Sequence, residues 1–321
     1  MLSRVANSVY WMNRYIERAE NVARFVDVNL HLILDLPAGS DEQWQPLINT
    51  TGDQELFAQR YKKATRENVI HFLTFDAEYD SSIFSCLRAA RENARSIREI
   101  ISSEMWEQAN RFYLMVTDPA AKDRALFSPS EFYNAIKMAS HLFSGLTRNT
   151  MSHTEAWHFG RLGRLLERAD KTSRMLDVKY FILLPTPSDV GTPLDDIQWS
   201  AVLRSASAFE MYRKRHGRIA PQSVVEFLLL EPTFPRSVRF SLEAAERSLH
   251  AISGAPMGRH RNVAEQRLNQ VCSELDFTDA KTIMKTGLHE FLDSLQTKLN
   301  LVGDGIFDTF FAIRPLNKEN A

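Results

Sequence analysis

Apolar residues recur at helical spacing along most of this chain. Met12, Ile16, Ala19, Ala23, Val26 and Leu30 form one stripe within residues 3–36, and Pro37 with Gly39 closes that segment. Residues 40–60 are mixed and read as loop plus a short helix. A helix is expected over about 65–75, and Ser82 starts a long one reaching about Arg111. Asp118-Pro119 breaks the pattern. Ser128-Pro129 then opens a helix to about Thr147, with Ser at the cap and Pro at the first helical position. From Thr154 a long helix runs to Leu184 and stops at Pro185-Thr186-Pro187, and 185–195 reads as a turn-rich linker. Helices follow at about 196–215, 222–230, 236–253, 259–275 and 279–299, leaving room for a short one in the tail. No stretch alternates at period two long enough to predict a strand, so the expected fold class is all-α.

The pattern is said twice. Arg14-Tyr15-Ile16-Glu17-Arg18-Ala19-Glu20, followed by Arg24, returns 150 positions later as Arg164-Leu165-Leu166-Glu167-Arg168-Ala169-Asp170, followed by Arg174. A second echo runs at an offset of 155: Phe72-Leu73 returns as Phe227-Leu228, Tyr79 as Phe234, and Ser82-Ile83 as Ser237-Val238. Such a long period predicts an internally duplicated multi-helix bundle. Its two similar halves, 1–152 and 153–321, are expected to form one compact unit.

Composition narrows the classes. Hydrophobic residues make up 44% and charged residues 25%, ordinary for a globular chain. A net charge of −1 leaves no global electrostatic footprint for nucleic acid. No apolar stretch approaches a membrane span, and the N-terminus lacks the apolar run of a secretory signal. Two cysteines, Cys86 and Cys272, give neither a disulfide framework nor a zinc spacing, and they suit a reducing cytoplasm. The expectation is a cytoplasmic protein with no nucleic-acid or membrane partner.

Chemistry concentrates in the repeated motif. On a helix Arg14, Glu17, Arg18 and Asn21 share one face, opposite Met12, Ile16, Ala19 and Ala23. Arg164, Glu167, Arg168 and Lys171 share the matching face of the second copy. Glu20 with Arg24, and Asp170 with Arg174, are i,i+4 pairs beside it. Three readings are open. The face is a solvated one with ordinary ion pairs; or both helices lie side by side and interlock their Arg and Glu groups across a pseudo-twofold axis; or both stripes line one shared cleft that binds phosphate or carboxylate. In the last, Arg14, Glu17, Arg18, Asn21, Arg24, Arg164, Glu167, Arg168 and Arg174 form the binding set. Their place opposite the apolar stripe implies that truncating them leaves the main core intact.

Other features carry less. His153 and His158 are five apart, off the i,i+4 spacing that aligns two helical metal ligands, so no metal site is expected. Cys86 reads as a packing residue. No Gly-rich phosphate loop occurs, and no nucleophile–base pair stands out, so catalytic residues are unassigned. The run 212–218 is a basic helix end that complements the helix dipole.

Four segments together carry a resemblance: Tyr10-Trp11-Met12-Asn13-Arg14-Tyr15-Ile16-Glu17-Arg18-Ala19-Glu20-Asn21-Val22-Ala23-Arg24, Ala90-Arg91-Glu92-Asn93-Ala94-Arg95-Ser96-Ile97-Arg98 with Glu104-Met105-Trp106, Trp157-His158-Phe159-x-Arg161-Leu162-Gly163-Arg164-Leu165-Leu166-Glu167-Arg168-Ala169-Asp170, and Pro235-Arg236-Ser237-Val238-Arg239-Phe240. They resemble the bacterial Alpha-E family, an all-α domain named for its Glu-Arg signature, over nearly the whole chain. Departures are Tyr79-Asp80 where an Asn-Pro pair is common, and His158 where a basic residue is usual. Members are typically encoded beside, or fused to, circularly permuted ATP-grasp proteins. The resemblance therefore implies a component of a peptide- or amide-ligase or peptide-tagging system, with an ATP-grasp partner and a peptide substrate. ATP and Mg are expected on that partner and no cofactor on this chain. The alternative is a non-catalytic helical scaffold whose Glu-Arg network is structural.

Overall fold

A computed structural model describes residues 1–34, 44–181 and 192–312. Among these residues there are helices and no strands. The first eight helices are α1 (Ser3–Leu34), α2 (Gln45–Thr51), α3 (Gln54–Arg60), α4 (Arg66–Thr74), α5 (Ile83–Ser96), α6 (Ser103–Thr117), α7 (Ala121–Phe127) and α8 (Pro129–Thr150). Then come α9 (Glu155–Phe181), α10 (Pro193–Ser205), α11 (Phe209–His216), α12 (Pro221–Leu230), α13 (Val238–Ser253), α14 (Val263–Asp276), α15 (Ala280–Thr286) and α16 (Leu288–Ile306), ending in a π-helical turn, Phe307–Phe311. The expected stops at Pro37 and Pro185 lie outside the described residues.

Three expected long helices are divided. The one beginning at Ser82 ends at Ser96, and Ser102 restarts the chain as α6 by accepting the Met105 N–H at 3.2 Å. The expected 196–215 helix breaks at Ser207, which has φ +49°. The expected 279–299 helix breaks at Gly287, with φ +116°. A serine cap inside an apolar run is a weak signal in sequence, yet it satisfies an otherwise orphaned backbone donor.

Helices α1 and α9 lie side by side at the centre. α5 and α8 pack on α1, whereas α13 and α16 pack on α9; α6 covers α5 and α8, as α14 covers α13 and α16. The short helices cross over: α2 rests on α9, and α10 rests on α1. One continuous apolar core runs through all of this, from Val9 and Met12 to Leu242 and Val302. The α1–α9 approach is close because of two glycines. A Cβ on Gly163 would stand 2.5 Å from the Tyr10 carbonyl oxygen, and one on Gly160 would stand 2.6 Å from Asn13 Nδ2.

Contacts recur at the offset of 155. Ser82 Oγ donates to the Asp76 carbonyl at 2.7 Å and caps α5; Ser237 Oγ donates to the Glu231 carbonyl and caps α13. Arg60 pairs with Asp76 at 2.9 Å, and Arg215 pairs with Glu231 at 2.5 Å. Phe72 stacks on Tyr79 with centroids 4.1 Å apart, while Phe227 meets Phe234 at 4.9 Å.

Candidate functional site

The charged stripes of α1 and α9 face each other and exchange partners. Arg18 forks onto Glu167, Nε to Oε1 at 2.6 Å and Nη2 to Oε2 at 3.0 Å. Arg168 forks onto Glu17 in the opposite sense, at 2.9 and 2.8 Å. Both carboxylates are sealed, Glu17 at 1% and Glu167 at 0% exposure. The solvated-face reading is thereby set aside. The face opposite the apolar stripe is itself buried, because a second helix covers it, so truncating the glutamates opens the interior. Planar guanidinium–carboxylate forks supply the paired hydrogen bonds that a desolvated carboxylate needs.

Further cations hold the acids ionised. Burial works against Glu17, but Arg168 and Arg236 keep its pKa below the ordinary value. Burial likewise opposes Glu167, and Arg18, Arg14 and Lys171 hold it well below. Asp170, beside Lys171 and Arg174, is pushed down to about 2. Glu20 is also held low despite its burial, by Arg236 and Arg24, and Ser140 Oγ donates to it at 2.6 Å.

The outer arginines of the motif tie in the crossed-over helices. Arg24 donates to Glu20 at 2.8 Å and reaches over to the Ser205 carbonyl at 3.3 Å and Ser207 Oγ at 2.5 Å. Arg174 donates to Asp170 and reaches the Thr50 carbonyl at 3.4 Å. Ser207 holds its left-handed backbone where its hydroxyl meets Arg24; 155 positions earlier Gly52, φ +80°, lies beside Arg174. Asn21 donates to the Glu17 carbonyl at 2.7 Å and accepts from Arg236 at 3.1 Å. Arg24 and Asn21 are thus interior fasteners, placed away from both cavities described next.

Among the described residues two cavities flank the crossing, one taking Arg14 and Arg18 and the other Arg164 and Arg168. The first, about 220 Å³, is lined by Arg14, Arg18, Lys171 and Arg174 together with Asp53 and Asp170. The second, about 590 Å³, is lined by Arg148, Arg161, Arg164 and Arg168, by His153 and Trp157, and by Leu165, Pro235 and Phe240. Among the described residues no carboxylate lines it.

Arg14 and Arg164 occupy opposite electrostatic situations. Arg14 Nε donates to Glu167 at 2.9 Å, Nη1 reaches Tyr10 Oη at 3.3 Å, and the guanidinium lies 4.8 Å from the Trp11 ring centre. Burial opposes its charge, yet Tyr10 and Glu167 raise its pKa above the usual arginine value. Arg164 is half-buried and its Nε is buried without a partner. Burial, and then Arg168, push its pKa down to about 10. Arg161, 5.4 Å from the Trp157 ring centre, donates to Ser248 Oγ at 3.1 Å, and its pKa is lowered by burial, Arg247 and Arg148. His153 stacks on Trp157 with centroids 4.0 Å apart.

Sequence reasoning missed Arg148, Arg161 and Arg236 as site residues. Arg161 and Arg236 both stand inside segments that carry the family resemblance, and that was their available signal. The thiols of Cys86 and Cys272 are both buried and free. Among the described residues no helix is long and apolar enough to cross a membrane.

No solved structure matches this chain. Similar curated proteins include one of Mycobacterium bovis and two of Mycobacterium tuberculosis, all described as uncharacterized. Each is 23% identical over 274 residues, covering 78% of this chain and 30% of the relative. The matched stretch is therefore a minor part of those longer proteins. The family described as a predicted alpha-helical domain with a conserved ER motif matches residues 1–311. The chain belongs to this family, Alpha-E.

Proposed function

We propose that this protein is the anion-binding helical component of an ATP-grasp-associated peptide- or amide-ligase system. It holds an anionic peptide, acyl or phosphate group while a circularly permuted ATP-grasp partner supplies ATP and Mg. The observation that carries this reading is the second cavity, where Arg148, Arg161 and Arg164 converge with no carboxylate among the described lining residues. Ligation through an activated acyl group needs a sheltered cationic pocket that binds the acid or its phosphate, and guanidinium forks suit both.

The sealed Glu17–Arg168 and Glu167–Arg18 pairs favour a structural role for the innermost part of the motif. In this reading those pairs are the rigid frame, and the arginines at the cavity walls are the binding surface. We also read the chain as two copies of one helical unit, 1–152 and 153–321. The reciprocal reach of Arg24 to Ser205 and Arg174 to Thr50, and the matched caps at Ser82 and Ser237, support that reading.

The test is co-purification with the ATP-grasp partner, followed by ATP-dependent ligation of small peptides with and without this protein. Ligation that requires the protein, and falls in the Arg161→Gln/Arg164→Gln variant while the partner still binds, is the expected result. Full ligation by that variant leaves only the scaffold role.

A further inference from the structure

Among the described residues Arg164 makes no ion pair, whereas its counterpart Arg14 does. Arg14 on α1 donates across the crossing to Glu167 on α9. The equivalent acceptor for Arg164 is Glu17. That carboxylate is already forked by Arg168 and approached by Arg236 at 3.5 Å. At the offset of 155 the first half carries Ser81 where Arg236 stands, and Ser81 brings no charge. Glu167 likewise has a further cation, Lys171 at 3.6 Å, and still accepts Arg14, whereas Glu17 takes Arg168 and Arg236 and leaves Arg164 turned to the cavity with its Nε unpartnered.

Two more guanidiniums face the same space. Among the described residues Arg161 meets the Ser248 hydroxyl and the Trp157 ring, and Arg148 lies exposed in the last turn of α8. Among the described residues none of Arg148, Arg161 and Arg164 is in an ion pair. Arg161 and Arg164 are partly buried and lose part of their hydration, while Arg148 stands exposed at the rim; like charges around one half-enclosed space favour a ligand that supplies negative charge. A monocarboxylate brings one charge and two acceptor oxygens. A phosphoryl group brings up to two charges and at least three acceptor oxygens, which matches three forked donors. The remaining wall is apolar, from Leu165, Pro235 and Phe240, and suits the organic part of such a ligand.

Resting on the anion-binding reading above, we propose that this cavity is a phosphate site: Arg148, Arg161 and Arg164 clamp a phosphoryl dianion whose organic portion lies against Pro235 and Phe240.

The experiment titrates the full chain, without any partner, at constant ionic strength. Its probes are inorganic phosphate, acetyl phosphate, AMP and the dicarboxylate glutarate, read by calorimetry and by melting temperature. Inorganic phosphate should bind saturably, and Arg164→Gln or Arg161→Gln should weaken it by about tenfold or more, the worth of a lost charge-assisted contact. Tighter binding of acetyl phosphate identifies an acyl phosphate as the source of the group, and tighter binding of AMP a nucleotide. Without phosphate, Arg164→Gln should melt at the same temperature or higher, because an uncompensated charge has gone. Arg95→Gln, on an exposed side chain of α5, should change neither readout. No saturable phosphate binding at millimolar concentration overturns the proposal. So does binding unchanged in both cavity variants, or a lower phosphate-free melting temperature in Arg164→Gln with phosphate binding intact. Glutarate binding as tightly as phosphate and lost in the same variants overturns the phosphate assignment but leaves the anion-binding reading. That reading fails separately, in the ligation assay.

Discussion

Arg164 precedes Glu167 by three residues just as Arg14 precedes Glu17, yet only Arg14 reaches a carboxylate, Glu167 at 2.9 Å. The α1–α9 crossing is therefore balanced at its centre and unbalanced at one edge. At the centre every acid has a cation. At the edge beside the larger cavity four arginines line the wall and, among the described residues, no acid does. The first arrangement holds helices together; the second prepares a surface for a ligand that brings charge of its own.

The central pairs should dominate stability. Glu17→Gln or Glu167→Gln leaves a buried guanidinium facing a neutral amide, and should cost about 3–5 kcal/mol. Arg18→Lys keeps the charge but loses the fork on Glu167, and should cost less, about 1–3 kcal/mol. Removing both members, as in Glu17→Leu with Arg168→Met, should recover part of the loss. Urea unfolding of the four variants checks this. Losses under about 1 kcal/mol for the glutamate variants, against that range for a broken buried pair, would show that the pairs contribute little.

Acid should loosen the same crossing. Glu17, Glu20 and Glu167 are held below the ordinary 4.5 and Asp170 below 3.8, down to about 2. A carboxylate with a depressed folded pKa contributes fully above its unfolded value. Below that value the unfolded chain takes up protons that the native state refuses, so stability falls as pH drops. The window opens near pH 4.5 and extends to about 2 and below, and each group adds up to about 1.4 kcal/mol per pH unit there. Urea midpoints measured from pH 7 to pH 3 should be flat in this contribution above the window and steep inside it. The Glu17→Gln/Glu167→Gln variant should show a shallower fall; an identical slope would place the acid sensitivity elsewhere.

Gly163 should be intolerant of a methyl group. Its Cβ would meet the Tyr10 carbonyl oxygen at 2.5 Å, and that backbone belongs to the adjoining helix. The gain in helix propensity from Gly to Ala is about 1 kcal/mol, and the overpacking penalty of about 1–3 kcal/mol should exceed it. At Gly160 the nearest obstacle is the Asn13 side-chain amide, a side chain rather than backbone, which yields at the cost of its 3.0 Å bond to the Val9 carbonyl. Gly163→Ala should therefore melt below wild type and below Gly160→Ala. The reverse order would mean that α1 and α9 slide freely.

Neither thiol should react in the folded protein. Burial pushes Cys86 up to about 12, and burial raises Cys272 as well, so little thiolate exists at neutral pH. A disulfide reagent such as DTNB should titrate both cysteines in denaturant and neither without it. Rapid labelling of the native chain would contradict the packing of α5 or α14.

Much was legible in the residues themselves. The helical period, the scarcity of glycine and the Ser-Pro and Ser caps determined an all-α chain, because spacing, backbone freedom and capping are local properties. The recurrence of Arg-x-x-Glu-Arg identified the charged face and the two long helices that carry it. The family signature was equally plain, since it is a string of residues at fixed spacing. The breaks at Ser102, Ser207 and Gly287 were not legible, because each depends on one residue's backbone angle or cap within an otherwise continuous apolar pattern.

Tertiary structure decided the rest. Whether a charged helix face meets water or another helix depends on its neighbour, and only the α1–α9 packing turned Glu17 and Glu167 into sealed acids. The cross-over of α2 and α10 brought Thr50 and Ser205 to arginines 124 and 181 positions away along the chain. Arg14 and Arg164 look alike in sequence; their surroundings differ, with Arg236, remote along the chain, at Glu17 and the neighbouring-turn Lys171 at Glu167. Charge balance is a sum over everything nearby in space, so a local string of residues carries the charges but not their sum.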